Sequence, residues 1–284
     1  MKTLRGFTIV AALVLAAAVQ QTFAQGVPTG PHLLFGTTGA CNNVNQGGPC
    51  TQQSTLVQLD PSNGALIRTI GPVGFTVNGL AWSGEKLYAS TAIGDVSFHG
   101  LITIDLVTGA GTPVDRNVVN FGLAGTPSPV HSITIDSRGR MAGWYDEFPP
   151  PDTFVRIDKK TGVATEFPNT GIDTSQNGLS FSDFNTLWNI DSPRLQPGNT
   201  TITQTAYIID PKDGKPLSSR LLSPPTAAAL GDFNPTNDLY YGLNFDTSFP
   251  RPFPAFIVVV DVRSGTVTTL GQTVNDLHTL AWVK

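Results

Sequence analysis

Leu101-Ile-Thr-Ile-Asp105-Leu-Val-Thr-Gly109 is the stretch whose reading decides the fold. Apolar and β-branched residues lead to an aspartate, and a glycine follows four positions later. β-Branched residues favour extended backbone, and an Asp with a late Gly suits a tight turn that ends in a positive φ. The same order of residues recurs at Leu56-Val-Gln-Leu-Asp60 before Gly64 and at Phe154-Val-Arg-Ile-Asp158 before Gly162. Tyr207-Ile-Ile-Asp210 before Gly214 and Val258-Val-Val-Asp261 before Gly265 complete the set. The aspartates stand at 60, 105, 158, 210 and 261, in steps of 45, 53, 52 and 51 residues. Self-similarity at that period predicts one four-stranded blade per copy. An Asp side chain accepts bonds from turn amides, so the five aspartates read as structural rather than catalytic.

A second motif alternates with the first. Gly79-Leu-Ala-Trp82 leads to Leu87-Tyr88, and Ser132-Ile-Thr-Ile135 leads to Met141. Gly178-Leu-Ser-Phe181 leads to Leu187-Trp188, and the stretch from Leu230 to Phe233 leads to Leu239-Tyr240. Thr279-Leu-Ala-Trp282 has no partner strand after it, whereas His32-Leu-Leu-Phe35 has none before it. Pairing these two orphans closes a ring and removes the largest unpaired edge. The expectation is an all-β, five-bladed β-propeller with blades over 79–122, 131–171, 177–222, 229–271, and 278–284 joined to 32–71. A β-sandwich would not explain five copies of a paired motif.

The alternation of Gly-Leu-Ala-Trp, Leu-Tyr and Ile-Asp-x-x-x-Gly resembles the repeats of secreted bacterial β-propeller proteins, in the style of the quinoprotein-like, NHL-like and gluconolactonase-like groups. The resemblance runs over nearly all of the chain after its N-terminal segment and lies in repeat grammar, which recurs under many functions. A gluconolactonase-like site would hold a divalent metal at the channel mouth through Glu, Asn, Asn and Asp. Asn78, Asn177 and either Asp191 or Asp146 can imitate three of these. The acidic first ligand has no evident counterpart, and the blade count is five rather than six.

Residues 1–24 read as an export signal ahead of a single domain over 25–284. Lys2 and Arg5 precede an apolar run over 7–19, polar Gln20 and Gln21 end it, and Thr22-Phe23-Ala24 offers a small residue for cleavage. No later stretch approaches the ~20 apolar residues of a membrane helix, so no membrane span is expected after cleavage. Export, to the periplasm or beyond, agrees with the cysteines. Cys41 and Cys50, the only two, fall in one Gly/Asn-rich loop, where an oxidising compartment would join them. A net charge of −4 and scattered Lys and Arg give no basic footprint for nucleic acid. The 29 Gly and 22 Pro of 284 residues, with 13% charged, fit a turn-rich β chain.

Blade strands alternate in direction, so the Asp-to-Gly turns share one face and the connections between second and third strands share the other. The latter are long: 38–54, 91–100, 146–153, 191–205 and 246–255. Loops on a rigid scaffold carry function, which points to the long-connection face. Phe98, Arg194, Phe249 and Arg251 lie on these Pro-rich connections as candidate contacts, although the Phe rings can equally pack beneath them. Asn78, His131, Asn177, Ala229 and His278 begin the five inner strands near the channel mouth, with Asp146 and Asp191 ending second strands there. Asn and His in that place either grip a ligand or metal or bond to the neighbouring backbone. Inner-strand Asp136 and Asp232 fall towards the far ends of their strands, which argues against a glycosidase. No Gly-x-Ser-x-Gly or HExxH occurs. The leading expectation is a monomeric, secreted, non-catalytic propeller binding a small molecule, glycan or protein. A metal-assisted, lactonase-like hydrolase or lyase at the channel mouth is the alternative.

Overall fold

At each Asp-to-Gly turn one aspartate does two jobs. The carbonyl of Asp105 accepts the Gly109 N–H at 2.8 Å, and its Oδ1 accepts the Thr108 N–H at 2.7 Å. Asp60, Asp158, Asp210 and Asp261 repeat both bonds, to the glycine and to a turn amide. The turn glycines have φ between 76° and 81°, a region an L side chain enters at a cost. The Ser62 hydroxyl and amide hold the Asp60 carboxyl below the usual range, and the Thr108 amide and hydroxyl do the same for Asp105.

The computed structural model describes residues 32–39, 53–92, 98–123, 130–145, 151–172, 176–192, 204–224, 229–245 and 252–284; at 176, 177, 192 and 229 it describes the backbone alone. Residues 1–24, read above as an export signal, and Cys41, Cys50, Asp146, Arg194, Phe249 and Arg251 lie outside them. The described chain is nearly all β and forms five four-stranded antiparallel sheets arranged in a ring. Blade 1 is β4 (Val77–Trp82), β5 (Leu87–Thr91), β6 (Leu101–Ile104) and β7 (Gly111–Pro113). Blade 2 is β8 (Val130–Ile135), β9 (Met141–Tyr145), β10 (Thr153–Ile157) and β11 (Ala164–Phe167). Blade 3 is β12 (Gln176–Phe181), β13 (Leu187–Ser192), β14 (Thr205–Ile209) and β15 (Pro216–Leu221). Blade 4 is β16 (Ala229–Phe233), β17 (Tyr240–Phe245), β18 (Ala255–Asp261) and β19 (Thr266–Gln272).

Blade 5 joins the two ends of the chain. Its strands run in the order β20 (Leu277–Val283), β1 (Leu33–Thr38), β2 (Thr55–Leu59) and β3 (Leu66–Pro72). Leu34 faces Trp282 and Phe35 faces Ala281 in the β1–β20 ladder, as the two orphan motifs require. The inner strands β4, β8, β12, β16 and β20 each lie beside the next, and β20 returns to β4. The result is a closed five-bladed β-propeller.

Each pair of adjacent blades encloses an apolar core. Leu34, Leu280 and Trp282 of blade 5 pack against Tyr241, Leu243 and Ile257 of blade 4. Trp144 and Phe154 of blade 2 meet Leu179, Leu187 and Ile209 of blade 3. Burying one such side chain stabilises the fold by roughly 1.5–3 kcal/mol. Trp144 is fully buried, and its Nε1–H donates to Asp152 Oδ2 at 3.0 Å, which satisfies its polar end. Among the described residues no helix is long and apolar enough to cross a membrane.

Candidate functional site at the two mouths of the channel

Three of the residues at the long-connection end of the inner strands share an unusual backbone position. In the β4–β5 ladder Val77 faces Thr91 and Gly79 faces Ser90, so Asn78 has no residue opposite. In β8–β9 Val130 faces Tyr145 and Ser132 faces Trp144, which leaves His131 unopposed. In β20–β1 Leu277 faces Thr38 and Thr279 faces Thr37, which leaves His278 unopposed. Asn78, His131 and His278 are thus the extra residues of three β-bulges at equivalent places. A bulge re-aims its side chain and recurs beside binding and catalytic sites. Asn78 is buried, whereas His131 and His278 are partly exposed, and both histidines have interaction partners.

Blades 3 and 4 depart from this arrangement. β12 has no bulge, and Asn177 faces Asp191 in regular register. β16 bulges between Ala229 and Asp232, with Leu230 at φ 55°. A Cβ on Gly231 would run into the Tyr241 carbonyl, so the irregular backbone there needs glycine. Asp191 is buried; burial pushes the Tyr207 hydroxyl pKa up, and the Asp191 charge adds to it. Phe98 takes the packing role. It is buried edge-on to Phe75, with ring centroids 6.3 Å apart.

At the opposite mouth, on the short-turn face, a cavity of about 310 Å³ opens where the inner strands end. Leu80, Ala81, Ile133 and Thr134 line it together with the aromatic rings of Trp82, Phe181, Phe233 and Trp282. Gly84, Ser137, Asp183 and Lys284 stand exposed at its rim. Three carboxylates line the cavity, and two have cations. Asp136 lies 2.6 Å from Arg140 Nε, and Asp183 lies 3.4 Å from Lys284 Nζ.

Asp232 has none among the described residues. Its Oδ1 accepts the Ser180 hydroxyl at 2.6 Å and the Phe233 N–H at 2.9 Å, and its Oδ2 accepts the Trp282 N–H at 2.9 Å. Protein surrounds it although a little of its surface faces the channel, and this burial outweighs the three hydrogen bonds. The carboxyl is pushed up to about 6. From its own strand Asp232 reads only as a candidate glycosidase carboxylate. The better signal was its place in the repeat, where the other inner strands have Ala81, Thr134, Ser180 and Ala281.

No family model matches the sequence, and no curated protein matches it. Solved structures do. A GH43_12 retrieved from capybara gut metagenome is 10% identical over 84% of this chain and 46% of its own, with a TM-score of 0.51. TolB from Acinetobacter baumannii is 12% identical over 89% of this chain and 56% of its own, at 0.48. The calcium-binding protein regucalcin from Agrobacterium tumefaciens is 14% identical over 85% and 75%, at 0.45. The chain therefore spans about half the length of the first two. The likeness to the GH43_12, whose TM-score exceeds 0.5, is one of fold alone.

Proposed function

We propose that this chain is an exported, non-catalytic binding β-propeller that takes a small molecule, glycan or protein on its long-connection face. The observation that carries the reading is the triple bulge. Asn78, His131 and His278 sit at the same point of three blades, each released from the ladder by an extra residue. Three bulges at one mouth that each free a polar residue, beside a fourth in β16, fit a shared purpose. The long connections leave from the same end, and Arg194, Phe249 and Arg251 on them would supply stiff contact groups.

The test is a thermal-shift screen of the mature protein against saccharides, organic acids, amines and divalent metals. Compounds that raise the melting temperature are then repeated on His131→Ala/His278→Ala and on Arg194→Ala/Arg251→Ala. The expected outcome is a shift that both double variants diminish. A shift indifferent to all four substitutions would remove the ligand from this face, and turnover of a bound compound would overturn the non-catalytic reading.

A further inference from the structure

Asp232 is a carboxylate held in a cavity without a cation of its own. We propose that the short-turn mouth of the channel is a second binding site, specific for a small organic ammonium with an apolar body, which pairs with Asp232.

A carboxylate has about four acceptor positions, and Asp232 has filled three: two on Oδ1, from Ser180 and Phe233, and one on Oδ2, from Trp282. One position on Oδ2 remains. The charged groups around it leave that position unserved. Arg140 is engaged with Asp136, Lys284 is engaged with Asp183, and the Lys284 ammonium is the weakest influence acting on Asp232. Tyr240, on β17 behind it, is fully buried, and its Oη accepts the Gly231 N–H at 2.7 Å. Its hydroxyl stays protonated across the working pH range.

The remainder of the cavity suits the organic part of such a ligand. Trp82 and Phe181 are partly exposed at the mouth, and Leu80 and Ile133 are buried. Aromatic surface next to a carboxylate favours a cation that carries hydrocarbon. The volume, about 310 Å³, stands at the lower end for small-molecule sites and fits a ligand of one ring. The opening lies away from the long connections, so the site is independent of the function proposed above.

Benzylammonium is the probe and benzyl alcohol its neutral control, both titrated calorimetrically and by tryptophan fluorescence, since Trp82 and Trp282 line the cavity. An alkylammonium remains protonated from pH 5 to 8, so any pH dependence in this window belongs to the protein. Benzylammonium is expected to bind at least about tenfold more tightly than benzyl alcohol at pH 7.5 and to weaken about tenfold on going to pH 5. Asp232→Asn should abolish that preference. Equal affinity for the two probes, or no binding of either up to about 10 mM, overturns the proposal. So does preferential binding that survives unchanged in Asp232→Asn. The comparison of the two probes on the wild-type protein decides the matter even if that variant does not fold.

Discussion

At the residue scale the repeat is governed by where a Cβ can be tolerated. Gly74 and Gly109 both have φ near 80°, at 82° and 81°. Around Gly74 a Cβ would meet nothing within 4 Å, whereas at Gly109 it would lie 2.5 Å from the Gly71 carbonyl oxygen of the neighbouring blade. Gly74→Ala should therefore cost about 1–2 kcal/mol from backbone strain alone. Gly109→Ala carries the same strain plus an overpacking cost of roughly 1–3 kcal/mol, because backbone rather than a mobile side chain stands in the way. Urea unfolding of both variants measures the difference. Equal losses would mean that the turn of blade 1 can draw back from β3 without penalty.

At the scale of elements the question is how inner strands are tied to one another, since each presents an edge to the channel. Three adjacent blades use the third residue of the second motif for this. Thr134 Oγ1 accepts the Phe181 N–H at 3.1 Å, Ser180 Oγ accepts the Phe233 N–H at 3.4 Å, and Asp232 Oδ2 accepts the Trp282 N–H at 2.9 Å. Asp232 thereby links blade 3, through Ser180, to the closing strand β20. Its raised pKa gives this link a pH dependence of defined sign. With about 6 folded against 3.8 unfolded, the stabilising effect is full below pH 3.8 and is lost as the pH rises through 6. The wild-type protein should gain stability relative to Asp232→Asn between pH 7 and pH 4, by at most roughly 3 kcal/mol. The partial opening of Asp232 to the channel makes that figure a ceiling. Denaturant midpoints across this range test the sign, and a gap that widens towards alkaline pH would refute it.

At the scale of the whole molecule the ring depends on a strand from the far end of the chain. β20 supplies Leu280, Ala281, Trp282 and Val283, all buried, and completes blade 5 between β16 and β4. Deleting residues 278–284 removes several side chains worth roughly 1.5–3 kcal/mol each. The net stability of a domain is only about 5–15 kcal/mol. The truncated protein is expected to lose cooperative unfolding and to bind a hydrophobic dye. An unchanged melting temperature would show that four blades and an open β1 edge suffice.

The ring itself was legible in the residues, because both of its motifs obey local chemistry. An Asp that caps a turn and a Gly that enters positive φ act within five positions, and five copies at a fixed spacing leave one way to close. The pairing of the strand around Phe35 with the C-terminal strand followed from two half-motifs lacking partners, whereas its register came from the structure. Phe98 was undecided between contact and packing, since only the neighbouring Phe75 determines which side of the loop is apolar. The bulges at Asn78, His131 and His278 were not legible, because a bulge is a relation between two strands and one strand's residues do not record it. Nor was the state of Asp232. From its own segment, Leu230-Gly-Asp-Phe233, it reads as one more strand-end aspartate. Ser180 from one blade and the Trp282 amide from another make it a buried acceptor, and only the closed ring brings those groups together.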